Sequence, residues 1–159
     1  MGAYQPIAAF IKLAKKTRLD ATFVNISFVG SKALAQELGE DGAGVVITQV
    51  VPSPWDRSIP VVAQYQDALR AVDPKADPGF VSLEGYLVGR MTVMTLEKMG
   101  GAITRDQFMK TVMTAGRFDM GGIELAFGPD DNQGSDEVFL TVIQPDGSFR
   151  SVERLSPTS

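Results

Sequence analysis

The densest group of side chains able to do chemistry lies in FGPDDNQGSDEVFLTVI, residues 127–143. Asp130, Asp131 and Asp136 stand there beside Asn132, offering the oxygen donors that a hard divalent cation takes. A helix-flanked calcium loop places carboxylates at alternate positions, glycine sixth and a bidentate glutamate twelfth. Counted from Asp130, Asn132 fits the third position, but Gly134 is fifth and Ser135 sixth, so the pattern breaks where the chain must turn. Counted from Asp131, the sixth residue is Asp136. EVFLTVI reads as strand, so the acidic stretch is expected to be a polar turn and no metal is expected in it.

The remaining inventory is shaped by absences. Without histidine there is no Ser-His-Asp triad and no histidine-ligated zinc; without cysteine there is no thiol catalysis, zinc knuckle or disulfide. Carboxylates, lysines, tyrosines and hydroxyls remain, which suits binding better than catalysis, so neither an enzyme nor a cofactor is expected. Net charge is −4. The only basic cluster, Lys12, Lys15, Lys16 and Arg18, sits on the polar side of a helix, so nucleic acid is not an expected partner. No apolar run reaches membrane-spanning length and the first residues form no signal peptide, so the chain as given is expected to be soluble and untargeted.

These side chains are positioned by a lopsided set of elements. YQPIAAFIKLAKKTRLD predicts a helix with Pro6 near its start and an apolar face of Ile7, Phe10, Ile11, Leu13 and Ala14. The β-rich ATFVNIS follows, then a short helix SKALAQELG ended by Gly39, then GVVITQVV, an apolar run typical of a buried strand. That succession predicts a parallel sheet with crossover helices. After the loop PSPWDRS come three helices. IPVVAQYQDALRAV carries Val62, Tyr65, Leu69 and Val72 on one side. SLEGYLVGRMTVMTLEKMGG carries Leu83, Leu87, Met91 and Met94, with Ser82 as its N-cap. The third begins at Thr104 with the capping box TRDQ. Strands IELAF, EVFLTVI and SFRSV then form an antiparallel ribbon, with a PDG turn before the last.

Five stretches in order, FVNISFVGSKALAQELG, GVVITQVVPSPWD, PVVAQYQDAL, FVSLEGYLVGRMTVMTLEKMGG and FGPDDNQGSDEVFLTVI, resemble one family. It is that of the type I periplasmic substrate-binding proteins of ABC uptake systems, in the leucine/isoleucine/valine-binding branch. The resemblance covers nearly the whole chain but only the rear, C-terminal portion of such a protein. It implies an α/β, parallel-sheet partial fold of the type I periplasmic-binding-protein kind with a C-terminal antiparallel ribbon. Residues 1–52 would belong to the second lobe, 53–120 would be helices of first-lobe type, and 121–159 would cross back and return strands to the second lobe. The acidic stretch becomes a strand-connecting turn.

The same resemblance implies a cleft. Tyr4 matches a cleft tyrosine, offering ring packing and a hydroxyl. Ser27 matches the position where branched-chain amino-acid binders carry a glutamate that pairs with the ligand ammonium, a charge serine cannot supply, although its hydroxyl can bond a carboxylate or amide. Phe28 would line the cleft beside it. Tyr86 matches a cleft aromatic, and Glu84 could replace the missing charge. Gly85 and Gly89 are expected to permit close helix packing, and Trp55 to serve as a hinge or interface anchor.

The function implied is the solute-binding component of an ABC-type system for a small amino-acid-like or organic-acid solute, with a transporter permease as partner and the periplasm as location. The alternative is a truncated, non-binding relative that only assembles. Because the three helices have apolar faces and no sheet of their own, a bare monomer is disfavoured. A homodimer is expected, with VVPSPWDRS as hinge, or else a separate chain supplying the N-terminal half.

Overall fold

The computed structural model describes residues 3–155, which divide into two compact units, 3–53 with 138–155, and Pro54–Glu137.

The first unit is built on a four-stranded sheet of β1 (Val24–Ile26), β2 (Val46–Gln49), β5 (Phe139–Ile143) and β6 (Phe149–Val152), in the order β1-β2-β5-β6. β1 and β2 pair in parallel, Val24 opposite Val46, as the sequence predicts. The sheet then continues antiparallel, with Ile47 opposite Thr141 and Ile143 opposite Phe149. Two helices, α1 (Tyr4–Lys16) and α2 (Ser31–Leu38), pack on each other and share one core. Ala8 and Ile11 meet Leu34, Ala35 and Leu38 there, over Val45, Ile47 and Ile143 of the sheet. Because α1 turns only part of its apolar surface to this core, Phe10 and Leu13 remain 60% exposed, contrary to the predicted face. Lys15 donates from Nζ to the carbonyls of Asp41 and Ala43, closing the turn after α2. The PDG turn forms between β5 and β6, with Gly147 at φ 80° where a side chain would be strained.

The second unit holds α3 (Pro60–Val72), α4 (Phe80–Lys98), α5 (Arg105–Ala115) and a ribbon of β3 (Arg117–Asp119) and β4 (Glu124–Ala126). α3 packs on α4 and α4 on α5. Val62, Tyr65, Leu83 and Leu87 are buried, whereas Val72, predicted on the same side of α3 and its last residue, is 87% exposed. The exposed apolar residues of α4 form another stripe, Val81, Val88, Val93 and Leu96. Gly85 and Gly89 have open space where a Cβ would stand, so no helix packs closely on them among the described residues. Thr104 caps α5 as predicted, its Oγ1 accepting from the Gln107 amide at 3.2 Å. α4, by contrast, starts at Phe80 and not after Ser82. The loop before α3 is clamped to it: Gln66 donates to the Pro54 carbonyl at 2.8 Å, and Arg57 forks onto both Asp67 oxygens. That pair lowers the Asp67 pKa, first through the Arg57 hydrogen bond, and raises that of Arg57. Asp56 is lowered by the Ser58 hydroxyl and amide.

β3 went unrecognised in the sequence, and IELAF pairs with it rather than with EVFLTVI. The acidic stretch is a turn. Asp131 Oδ1 accepts from the Gln133 amide at 2.9 Å, and Asp136 Oδ1 from Gln133 Nε2 at 2.7 Å. Gly134 has a packing reason, since a Cβ there would lie 2.7 Å from Phe127 Cζ.

Candidate functional site

The five candidate residues divide between the units: Tyr4, Ser27 and Phe28 in the first, Glu84 and Tyr86 in the second. In the first unit they gather at one end of the sheet. A helix that covers a sheet and feeds its next strand runs back along it, so the start of α1 and the carboxyl end of β1 share an edge. Pro6 and Ile7 accordingly line one groove with Ile26 and Phe28. Tyr4 opens α1, half-buried and packed against the core of the first unit. Ser27 begins the 3₁₀ turn Ser27–Val29 directly after β1, and its carbonyl accepts from the Gly30 amide at 3.1 Å. Gly30 at φ 79° turns the chain into α2. The turn leaves Ser27 half-buried and Phe28 73% exposed. The carboxyl edge of parallel strands is where open α/β sheets take their ligands.

Beneath this edge lies a polar trio that sequence reasoning missed. Gln49, last in β2, donates from Nε2 to Ser31 Oγ at 2.8 Å and to Thr141 Oγ1 at 3.2 Å. Thr141 donates onward to the Ile47 carbonyl, while Gln49 Oε1 is buried without a partner. A glutamine inside the apolar run GVVITQVV was the available signal, since a buried amide needs partners.

In the second unit, Tyr86 is half-buried on α4 with its ring 5.7 Å from that of Tyr65. Tyr65 fixes the start of α4. Its hydroxyl accepts from the Gly79 amide at 3.0 Å and bonds Ser82 Oγ at 2.6 Å. Ser82 therefore serves Tyr65 and the Gly79 carbonyl rather than capping the helix. Glu84 is exposed, the fifth residue of α4 and past its first turn. Two residues apart on a helix, Glu84 and Tyr86 point to different sides. The residue one turn beyond Tyr86 is Arg90, which donates to Gln64 of α3 and keeps a buried Nε without a partner. Among the described residues no group of acidic side chains could hold a metal ion, and no helix is long and apolar enough to cross a membrane.

An α/β sheet unit is interrupted in the chain by a helical unit. The chain belongs to the periplasmic binding protein family, whose model matches residues 1–148. It is 39% identical to a possible leucine/isoleucine/valine-binding protein from Rhodopirellula baltica SH 1, with a TM-score of 0.88 over 95% of this chain and 41% of that one. An extracellular ligand-binding receptor from Verminephrobacter eiseniae ef01-2 is 29% identical, with a TM-score of 0.82 over 94% of this chain and 43% of that one. A branched chain amino acid ABC transporter from Thermus thermophilus with bound valine, 16% identical, shares the fold with a TM-score of 0.73 over 92% of this chain and 42% of that one. The chain thus spans less than half the length of these relatives. No curated protein matches. The expected family and partial type I fold are those found.

Proposed function

We propose that this chain is the rear portion of the solute-binding component of an ABC-type uptake system, acting on a small amino-acid-like or organic-acid solute. The family match over residues 1–148 carries this reading. The family is one of binding proteins, and no turnover is proposed. Tyr4 and Tyr86 would supply rings and hydroxyls, Ser27 a hydroxyl for a carboxylate or amide, Phe28 an apolar wall, and Glu84 the charge for a cationic group. A periplasmic location and a permease partner follow from the same reading.

A truncated relative that only assembles is the second reading, favoured by the 41% share of the Rhodopirellula baltica chain that is spanned. Calorimetry against branched-chain amino acids and small organic acids separates the two. Binding that weakens in Tyr4→Ala or Tyr86→Ala supports the solute reading. Unchanged affinity in both variants removes those residues from the site, and no heat with any solute leaves the assembling reading.

A further inference from the structure

We propose that the groove between the end of α4 and α5 binds a small oxyanion of two or more negative charges, of the phosphate or polycarboxylate kind. The inference goes beyond the solute reading and does not depend on it. It lies within the second unit and uses none of the five candidate side chains.

The groove is open, has a volume of ≈ 320 Å³, and is lined by Lys98, Gln107, Lys110, Thr111, Thr114 and Ala115. Helical spacing gathers this lining. Positions 107, 110, 111 and 114 share one face of α5, and α4, packed on α5, brings Lys98, its last residue, to them. Thr111 is buried and its Oγ1 is spent on the Gln107 carbonyl at 2.8 Å. What remains is a set of donors. The Lys98 and Lys110 ammonium groups, the Gln107 side-chain amide and the Thr114 hydroxyl have no partner among the described residues.

The charge is out of keeping with the rest of the chain. Net charge is −4, yet two cations and no carboxylate line the groove. Asp106, one turn before Lys110, is spaced for an ion pair with it, and the two form none. Lys98 also offsets the negative end of α4, which is reason enough for a cation there. Lys110 has no such reason, being the sixth of the eleven residues of α5. Two ammonium groups lining one groove repel each other, and an anion between them relieves that repulsion. Two cations call for at least two negative charges. An ammonium donates in three directions without a fixed plane, which suits oxygens spread around a tetrahedral or branched anion. The volume lies at the small end of ligand pockets, about 300–1,000 Å³, and so limits the anion to a compact one.

The test titrates the 159-residue chain with inorganic phosphate and, separately, with citrate at constant ionic strength, followed by amide NMR shifts. Saturable shifts centred on Lys98 and residues 107–115 are expected for at least one anion, with a dissociation constant of about 1–10 mM. The anion that saturates identifies the kind. Lys98→Ala and Lys110→Ala should each weaken binding about three- to tenfold. Lys110 is exposed in mid-helix, so its variant stands even if Lys98→Ala frays the end of α4. Thr114→Val keeps shape and charge and should weaken binding about two- to fivefold. Lys12→Ala, in the basic cluster of α1, should leave it unchanged. Shifts that fail to saturate with both anions overturn the proposal, as does wild-type affinity in Lys110→Ala or Thr114→Val. A loss in Lys12→Ala equal to that in Lys110→Ala overturns it too, leaving only diffuse attraction to lysines.

Discussion

Removing one oxygen from Tyr65 should loosen the start of α4. The side chain is 2% exposed, and its hydroxyl takes the Gly79 amide at 3.0 Å and Ser82 Oγ at 2.6 Å. Tyr65→Phe keeps the ring, and with it the contact to Tyr86, so only the polar anchor is lost. Two hydrogen bonds of ordinary net worth and an amide deprived of its acceptor amount to about 1–3 kcal/mol. For a chain of this size each kcal/mol lowers the melting temperature by about 2–4 °C. Trp55, the sole tryptophan, stacks edge-on against Phe80 at 5.5 Å, and Phe80 is the first residue of α4. Its fluorescence therefore reports the affected end of the helix. Urea unfolding followed at Trp55 should show the loss, and a cycle with Ser82→Ala should show a coupling of at least about 0.5 kcal/mol. An unchanged midpoint together with additive single variants would refute the assignment of the Tyr65 hydroxyl as the anchor of α4.

Gly134→Ala should destabilise by about 1–3 kcal/mol, because its Cβ would stand 2.7 Å from a Phe127 ring that packs edge-on against buried Phe118. Gly128→Ala, with open space around it, should stay within about 0.5 kcal/mol, and equal losses in the two would remove the packing reason. The lowered Asp67 pKa makes its pairing with Arg57 a source of stability above the ordinary aspartate range, lost as pH falls through the lowered value. Urea midpoints of wild type and Asp67→Asn should accordingly differ at neutral pH and converge in strong acid; a gap that is constant with pH contradicts this. Micromolar calcium should leave the melting temperature unchanged, since Asp131 and Asp136 already hold Gln133; a shift abolished by Asp131→Asn would reinstate a cation site.

Much of the helical half was readable in the one-dimensional pattern. Val62, Tyr65, Leu83 and Leu87 recur at helical spacing and are buried, and Thr104 caps α5 with the bond its capping box announces. The Pro-Asp-Gly turn and the glycine ends of α2 were equally local, because left-handed backbone is a property of the residue itself. The order of five stretches located the family and the rear portion of its fold. Tyr4, Ser27 and Phe28 could be nominated on that footing, and the crossover geometry of the first unit gives them a common edge.

Features that join distant segments were not readable. Arg117–Asp119 is too short to carry a period, and it is a strand only because β4 lies opposite it. Ser82 looked like a cap until Tyr65, seventeen residues earlier, claimed its hydroxyl. Phe10 and Leu13 match the apolar period of α1 yet stay exposed, because the side of a helix that is buried depends on where its sheet ends. Gln49 meets Thr141 across ninety-two residues of chain, and nothing near either residue announces the other. Periodicity and caps are energies of neighbours within a few residues, so they are written in the local sequence. Strand order, open edges and buried polar pairs are energies of segments that meet only after the chain has folded, and they exist only in three dimensions.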